Sequence, residues 1–364
     1  MGLQDYAVVV GINTYPDLGS LSGPTNDALD FREWLLDPAG GNVPGTNIQS
    51  FVSEPYAKVP PVLDARPQLQ QVENAFLVLL DKVRSSGVAA NRLYLYFAGH
   101  GFSKDVDDAA LLMANAARGV STTLHIQGGE YAKAFAKAAL FDEVVLFMDC
   151  CREDFKLTQR RPPVIDDISG AHAAEILYGY AAKWSRASRE GPWGKNNAVR
   201  GIFTLTLLAG LRGAAKREPG TNQVSATALS AYVVNTVKQS AGTLQPGEEK
   251  QEPDLTWRGA YDWKFNAPPG EPPSNVVPPP APAAGTVVVE TAAAPQHFTL
   301  TLPVQNGTTY QLTDSARAAI APVAQSATEW TWHLPMGYYK VTRSDGVSKL
   351  IEAGGMEENL DDPF

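Results

Sequence analysis

Four short apolar runs that lack polar alternation constrain the fold of this chain more than any other feature. They are Tyr6 to Ile12, Leu93 to Ala98, Val144 to Met148 and Glu175 to Ala181. Runs of this kind are typical of strands that are buried on both faces, as in a parallel sheet covered by helices. We therefore expect these four segments to form the centre of one sheet.

Helical patterns fill the intervals between these strands. Apolar residues recur at helical spacing behind the polar start TND, and the predicted helices are centred on Ala28 to Leu35, Leu69 to Val83, Tyr131 to Leu140, Ile202 to Leu211 and Ala226 to Val237. Strands that alternate with helices predict an α/β fold with a mainly parallel sheet flanked by helices. Functional groups are expected at the carboxyl ends of the strands.

A proline-rich segment divides the chain. Residues 267–285 contain APPGEPPSNVVPPPAPAA, which cannot form a helix or an inner strand and is expected to be an extended linker. The α/β domain is thus predicted at 1–266. Residues 286–364 contain short strand-like runs separated by turn signals, and predict a small β-sandwich of immunoglobulin-like architecture.

Composition excludes several function classes. The net charge of −9 gives no long-range attraction for nucleic acid or anionic lipid, and no apolar segment is long enough to cross a bilayer, so a cytoplasmic protein is expected. The only cysteines, Cys150 and Cys151, are adjacent and cannot tie distant parts of the chain together. Two cysteines alone also make a poor zinc site, and we predict no cofactor and no metal.

Two residues at strand ends carry the chemistry. His100 follows the second apolar run between Gly99 and Gly101, and Cys151 follows the third, 51 residues later. Neighbouring strand ends can bring a thiol and an imidazole within hydrogen-bonding reach, as an activated cysteine nucleophile requires. Each residue alone is more often an ordinary core residue, but the pair at this spacing indicates a catalytic site.

The chain resembles the caspase and metacaspase family, whose signature is a His-Gly at one strand end and a Cys about 50 residues later. The matching segments include FAGHGF, MDCCRE, VVVGINTY, SGPTNDALDFREWL and RGIFTLTLLAGL. The resemblance implies a caspase-like fold and a cysteine peptidase. It selects Cys151 over Cys150 because the family nucleophile is third in an Asp-x-Cys triplet. General chemistry then assigns the oxyanion to the backbone N–H groups of Gly101 and Cys151.

Metacaspases bind Arg or Lys before the cleaved bond through two aspartates, which match Asp27 and Asp149 of this sequence. A guanidinium between two carboxylates gains charge-assisted hydrogen bonds. Two plainer interpretations stay open. Asp27 in TND could only cap a helix, and Asp149 could only close its strand.

The segment after the nucleophile, EDFKLTQRRPPVIDD, is predicted to be an exposed loop. The resemblance to caspases implies activation by cleavage near Arg160 or Arg161, by the protein itself or by an upstream protease. An uncut surface loop is the alternative.

Some metacaspases need calcium, but the position of one of their carboxylates is Asn115 here, so calcium independence is expected. The acidic cluster of Asp105, Asp107 and Asp108 is read as a solvated loop rather than an ion site.

The leading function is therefore an endopeptidase that cleaves protein or peptide substrates after Arg or Lys. A non-catalytic caspase-like scaffold that binds partners through its groove and β-domain is the alternative. A nucleotide-binding protein is disfavoured, since VVVGINTYPDLG lacks a glycine-rich phosphate motif. The terminal β-domain is expected either to recruit a partner or substrate, or to pack on the peptidase domain.

Overall fold

The structure is a computed structural model. It describes residues 4–56, 58–87, 90–103, 108–117, 124–152, 162–165, 173–183, 188–193, 198–244, 251–257, 262–268, 298–304, 308–313, 319–334, 337–345 and 347–353. The chain divides into two units, Met1–Ala283 and Ala284–Phe364. Most of the predicted linker lies outside the described residues.

The first unit alternates strands with helices. Its strands are β1 (Tyr6–Gly11), β2 (Ile48–Val52), β3 (Ala90–Gly99), β4 (Gly101–Phe102), β5 (Ala110–Leu112), β6 (His125–Gln127), β7 (Phe141–Cys150), β8 (Glu175–Tyr180), β9 (Glu190–Gly191), β10 (Arg200–Gly201), β11 (Gln223–Ser225), β12 (Asp254–Trp257) and β13 (Lys264–Asn266). Its helices are α1 (Pro24–Leu36), α2 (Leu69–Ser86), α3 (Gly128–Lys137), α4 (Ile202–Ala209) and α5 (Ala226–Leu244).

Six of these strands form the central sheet, in the order β12-β8-β7-β3-β1-β2. All neighbours in it are parallel except β12, which pairs antiparallel with β8. The four predicted strands are its four inner strands, so the predicted α/β fold class is confirmed. The two edge strands have no clear signal in the sequence. β2 has only partly buried or exposed side chains and β12 has only four residues, so neither has the apolar run of an inner strand.

Helices cover both faces of this sheet, because alternate residues of each strand point to opposite sides. Val8 and Val10 of β1 belong to one core, together with residues of α2 and α3. Ala7 and Val9 belong to a second core with α1, α4 and α5. The five predicted helices are all present, although α3 begins about one turn earlier than predicted. The sheet is thus a rigid platform whose carboxyl edge can hold a site.

The second unit consists of antiparallel strands: β14 (Phe298–Pro303), β15 (Tyr310–Thr313), β16 (Ala319–Ile320), β17 (Ala324–Gln325), β18 (Glu329–Leu334), β19 (Gly337–Arg343) and β20 (Ser348–Ala353). They form two sheets, β14-β18-β17 and β16-β15-β19-β20. Side chains from both sheets share one core, which includes Leu300, Leu312, Trp332 and Val341. Two sheets packed over a common core are a β-sandwich.

Across the described ranges, none of the helices combines the length and the apolar character needed to span a bilayer.

Candidate active site

The two candidate catalytic residues follow neighbouring strands of the central sheet. β3 and β7 pair in parallel, and Gly99 at the end of β3 is opposite Cys150 at the end of β7. His100 and Cys151 are the next residue on each strand. Paired strands lie about 4.8 Å apart, so the two residues leave the carboxyl edge of the sheet side by side. Both are partly exposed, which leaves them open to a substrate.

Glycines let the backbone turn tightly around His100. Gly99 has φ +152°, and a Cβ atom there would collide with the Tyr15 hydroxyl. A Cβ atom on Gly101 would lie 2.6 Å from Cys150 Sγ and 2.7 Å from the Ala110 carbonyl oxygen. Gly101 is therefore pressed against Cys150 at the end of β7, a position that only glycine tolerates.

The imidazole of His100 is held by partners far away in the sequence. Its Nε2 lies 2.8 Å from the Gly19 carbonyl oxygen. A carbonyl can only accept, so Nε2 carries the hydrogen in the neutral imidazole and the lone pair is left on Nδ1. The Tyr15 ring lies 4.7 Å from the imidazole, and the Tyr15 hydroxyl accepts a hydrogen bond of 3.0 Å from the His100 backbone N–H. Neither partner was predictable from the sequence, because a backbone carbonyl has no sequence signature and Tyr15 is 85 positions from His100.

The adjacent cysteines lie in different environments. Cys150 is 1% exposed, and burial raises the pKa of its thiol well above the ordinary value. Cys151 is partly exposed, and its Sγ lies 3.8 Å from the Ser188 carbonyl oxygen. Neither cysteine is in a disulfide. A desolvated thiol with a raised pKa is a poor nucleophile, which favours the second cysteine on physical grounds.

The two candidate substrate-binding aspartates converge beside Gly201. A Cβ atom on Gly201 would collide with Asp149 Oδ2 and lie 3.0 Å from Asp27 Oδ2. Asp149 is at the end of β7 and Asp27 is in the first turns of α1. The structure thus brings together two carboxylates that are far apart in the sequence, beneath the strand end that carries Cys151. We call the space around these two carboxylates and Gly201 the acidic recess.

Both carboxylates already have partners within the protein. Asp149 Oδ1 accepts a hydrogen bond of 2.6 Å from the Ser188 hydroxyl, and its Oδ2 accepts one of 2.6 Å from the Thr204 hydroxyl. Asp27 Oδ2 accepts from the Gly201 backbone N–H at 2.8 Å. Its Oδ1 binds Nε of Arg200 at 2.5 Å. Arg200 was not anticipated, since nothing in the sequence links it to a residue so far away.

The helix-cap interpretation of Asp27 is wrong. α1 begins at Pro24 with Gly23 at the N-cap. Side chains from elsewhere accept from the N–H groups at this end: Asn13 Oδ1 accepts from Thr25 at 2.8 Å, and the Glu190 carboxylate accepts from Ser22 at 3.0 Å and from Gly23 at 2.8 Å. Asp27 is therefore not needed to cap α1 and points toward the recess.

Burial dominates the electrostatics of the recess. Desolvation raises the pKa of Asp27 well above its ordinary value, the nearby Asp149 raises it further, and Arg200 lowers it. Desolvation also raises the pKa of Asp149, against hydrogen bonds from Ser188 and Thr204 that lower it. Two buried carboxylates repel each other when both are ionised, so the recess favours binding of a cation.

Asp108 connects the loop after His100 to Arg152, the residue after Cys151. Its backbone oxygen accepts hydrogen bonds from the Ser103 hydroxyl at 2.6 Å and from Nη2 of Arg152 at 3.0 Å. Its carboxylate accepts from the Ala109 backbone N–H at 2.8 Å and from the Gln127 amide at 3.0 Å. For Asp108, which is 6% exposed, the prediction of a solvated loop is wrong. Asp105 and Asp107 lie outside the described residues.

Three other sequence-based predictions stay untested. Arg160 and Arg161, the predicted processing site, lie outside the described residues. Where the structure describes side chains, no group of three or more His, Cys, Asp or Glu residues could hold a metal ion. The predicted absence of a metal and calcium independence stay predictions.

Comparison with known proteins gives a family match over most of the chain. The family model described as Caspase domain matches residues 4–258. A curated relative, a probable protease of a Desulfuromonadales bacterium, is 28% identical over 238 residues, which are 58% of this chain and 26% of that protein. The chain thus spans about a quarter of the length of that relative.

The chain is also similar to solved structures. Caspase-1 from Spodoptera frugiperda matches with 14% identity and a TM-score of 0.45, over 70% of this chain and 86% of that chain. A structure of pro-sf-caspase-1 matches with 15% identity and a TM-score of 0.42, over 70% of this chain and 91% of that chain.

Proposed function

This chain belongs to the caspase domain family of peptidases, and from that premise we propose that it is a cysteine endopeptidase with Cys151 as nucleophile and His100 as its acid–base partner. The observation that carries the proposal is the register of β3 and β7, in which Gly99 is opposite Cys150. In this register the next residues, His100 and the partly exposed Cys151, follow adjacent strand ends at matching positions, which supports activation of the thiol by the imidazole.

The reaction begins with transfer of the Cys151 thiol proton to Nδ1 of His100. The sulfur attacks the carbonyl carbon of the scissile bond, and the carbonyl oxygen takes up the negative charge of the tetrahedral intermediate. The backbone N–H groups of Gly101 and Cys151 bind this oxyanion. The imidazolium then gives its proton to the leaving nitrogen, the C–N bond breaks, and a thioester to Cys151 remains.

Hydrolysis of the thioester uses the same imidazole. His100 takes a proton from a water molecule, whose oxygen attacks the thioester carbon, and the proton returns to the sulfur as the acid is released. The Gly19 carbonyl supports both steps, because its contact with Nε2 at 2.8 Å fixes the ring and stabilises the charged imidazolium.

Specificity for Arg or Lys before the cleaved bond is the second part of the proposal. It is supported by the convergence of Asp27 and Asp149 at Gly201, by their burial, and by the raised pKa values of both carboxyls. A guanidinium or ammonium group between two carboxylates would relieve their mutual repulsion. Protein or peptide segments with a basic residue are therefore the proposed substrates.

Activation by cleavage near Arg160 or Arg161, by the protein itself or by an upstream protease, is the third part. Its support is the sequence, which has two arginines in a polar, proline-bearing segment that follows the nucleophile. A protease with the proposed specificity would cut there. The double variant Arg160→Ala/Arg161→Ala should stay uncut and be less active than the wild type. Normal activation of this variant would contradict activation by cleavage at this site.

The deciding experiment compares the full chain with its Cys151→Ala and Cys150→Ala variants. Each is incubated with fluorogenic peptides that end in Arg, Lys or Asp, with and without prior cleavage of the loop. Cys151→Ala should abolish cleavage and Cys150→Ala should keep most of it. Equal loss in both variants would reject the assignment of the nucleophile. Wild-type protein that cleaves no peptide and no protein would favour a non-catalytic scaffold.

A further inference from the structure

The acidic recess already contains a cation that belongs to the protein. Arg200 directs Nε to Asp27 at 2.5 Å and Nη1 to Asp30, so one guanidinium bridges two carboxylates of α1. The side chains of Arg200 and Asp27 are only 7% and 2% exposed. Asp27 is thus sealed by the same kind of group that the proposed substrate would present to it.

We propose that Arg200 is an intramolecular competitor for the substrate's basic side chain, which keeps the recess closed until a substrate Arg displaces it from Asp27. This inference rests on the proposed Arg/Lys specificity and adds a specificity-determining residue to it. In the closed state, the Asp27 carboxylate binds Arg200. In the open state, it binds the basic side chain of the substrate.

The charge balance of the recess supports an exchange of cations. Besides Asp27 and Asp149, the recess is influenced by Asp30, which binds Arg200, and by Glu190, whose charge raises the pKa of Asp149. The guanidinium is bound by Asp27 and Asp30, so these four carboxylates outnumber it. The excess of negative charge attracts a second cation, and an incoming guanidinium can replace the leaving one without leaving Asp27 unpaired.

The hydrogen bonding of Arg200 shows that the closed state is not fully satisfied. The Nη2 atom of Arg200 is buried and has no hydrogen-bond partner in the part of the chain that the structure describes. A buried donor without an acceptor is costly, so displacement of Arg200 toward water recovers hydration that the closed state lacks. This lowers the barrier for a substrate cation to replace Arg200.

The same exchange discriminates against other substrates. A neutral side chain that displaced Arg200 would leave the buried carboxylate of Asp27 without a counter-charge, which is strongly unfavourable. An acidic side chain would add a further negative charge to the recess. Arg200 therefore disfavours substrates with a neutral or acidic side chain more than it disfavours those with Arg or Lys. Specificity then comes from destabilising the complexes with the other substrates.

Binding of agmatine, a small guanidinium compound, tests the competition without catalysis. The full chain carrying Cys151→Ala is titrated by calorimetry, alone and combined with Arg200→Gln, Asp30→Asn or Arg212→Gln. Arg200→Gln should tighten agmatine binding about tenfold, because the binding-competent state no longer has to be opened. Asp30→Asn should act in the same direction with a smaller effect, because Arg200 then keeps only its bond to Asp27.

Arg212→Gln is the matched control. Arg212 pairs with Glu33 of α1 at 4.0 Å on the surface, so the variant removes the same charge near the same helix but outside the recess, and affinity should not change. Peptidase assays with intact Cys151 should show a KM for Arg peptides about tenfold lower in Arg200→Gln, with kcat nearly unchanged.

Unchanged or weaker agmatine binding in folded Arg200→Gln would overturn the inference, and so would absence of agmatine binding to every variant. If Arg200→Gln does not fold, Asp30→Asn decides, and unchanged affinity there counts against competition. Failure of the proposed function is separate. It would appear as loss of all Cys151-dependent cleavage, or as cleavage confined to peptides without Arg or Lys.

Discussion

Asp108→Asn should change how the stability of the peptidase unit depends on pH. Burial raises the pKa of Asp108 from 3.8 to about 6, against hydrogen bonds from the Ala109 and Gly129 backbones that lower it. One pKa unit corresponds to about 1.4 kcal/mol, so ionised Asp108 costs the native state about 3 kcal/mol at neutral pH.

The sign of the change in stability with pH follows from proton binding. Between pH 3.8 and about 6, Asp108 is protonated in the folded chain and ionised in the unfolded chain. The stability that this group contributes is therefore complete below about pH 4 and is lost as pH rises through 6. An asparagine cannot ionise, so the variant should lose none of this contribution.

The amide is also a close mimic of the protonated acid. It keeps one acceptor oxygen for the Ala109 N–H and turns the other position into a donor. The Gln127 amide, which now donates to Asp108 Oδ2 at 3.0 Å, can rotate to offer its carbonyl oxygen instead. We thus expect the variant to equal the wild type near pH 4 and to exceed it by about 3 kcal/mol at pH 7.

Hydrogen exchange measured on peptides from β5 and α3 against urea concentration gives the local free energy of unfolding. A local probe is needed because the two units of the chain can unfold separately. The exposed Asp142→Asn is the control, and it should leave the local free energy of unfolding nearly unchanged. A difference between Asp108→Asn and wild type that is the same at pH 4 and pH 7, or that shrinks as pH rises, would refute the reasoning.

Three other predictions concern the active site. Gly101→Ala should lower kcat at least tenfold and reduce the melting temperature, because its Cβ atom would meet the Ala110 carbonyl oxygen and Cys150 Sγ; a fully active, equally stable variant would contradict the close packing. Tyr15→Phe should lower kcat and shift the acidic limb of the pH–rate profile, since the hydroxyl accepts from the His100 N–H; reduced stability with an unchanged profile would show a purely structural role. Full activity is expected in excess chelator, and loss of activity that added calcium restores would show a metal requirement.

Long apolar runs made the centre of the fold predictable from sequence. The inner strands β1, β3 and β7 are largely buried on both faces, and β8 is partly so, which leaves an apolar pattern that edge strands do not share. The proximity of His100 and Cys151 was predictable for a related reason, because each follows an inner strand and parallel strands end at one edge. Register, which puts Gly99 opposite Cys150, had to come from the structure.

The electrostatic partners of the site were not predictable. The sequence around Asp27 is compatible with a substrate ligand or a helix cap. The hydrogen bond between Asp27 and Arg200 joins residues separated by 173 positions. No local pattern encodes a contact of that range. Asp108 looked like part of a solvated acidic run, since the sequence does not show that a carboxylate will be covered by the start of α3. Long-range pairing and burial of single charges need coordinates.

The parallel pairing of β7 with β8 has a consequence for any cut in the segment that joins them. Six residue pairs, from Glu143–Glu175 to Met148–Tyr180, connect the chain before that segment with the chain after it. Arg200, which follows the segment, also forms ion pairs with Asp27 and Asp30 of α1, which precedes it. A nicked molecule should consequently elute from a sizing column as a single species and separate into two bands only on a denaturing gel. Purity judged under native conditions would not distinguish intact from cut protein.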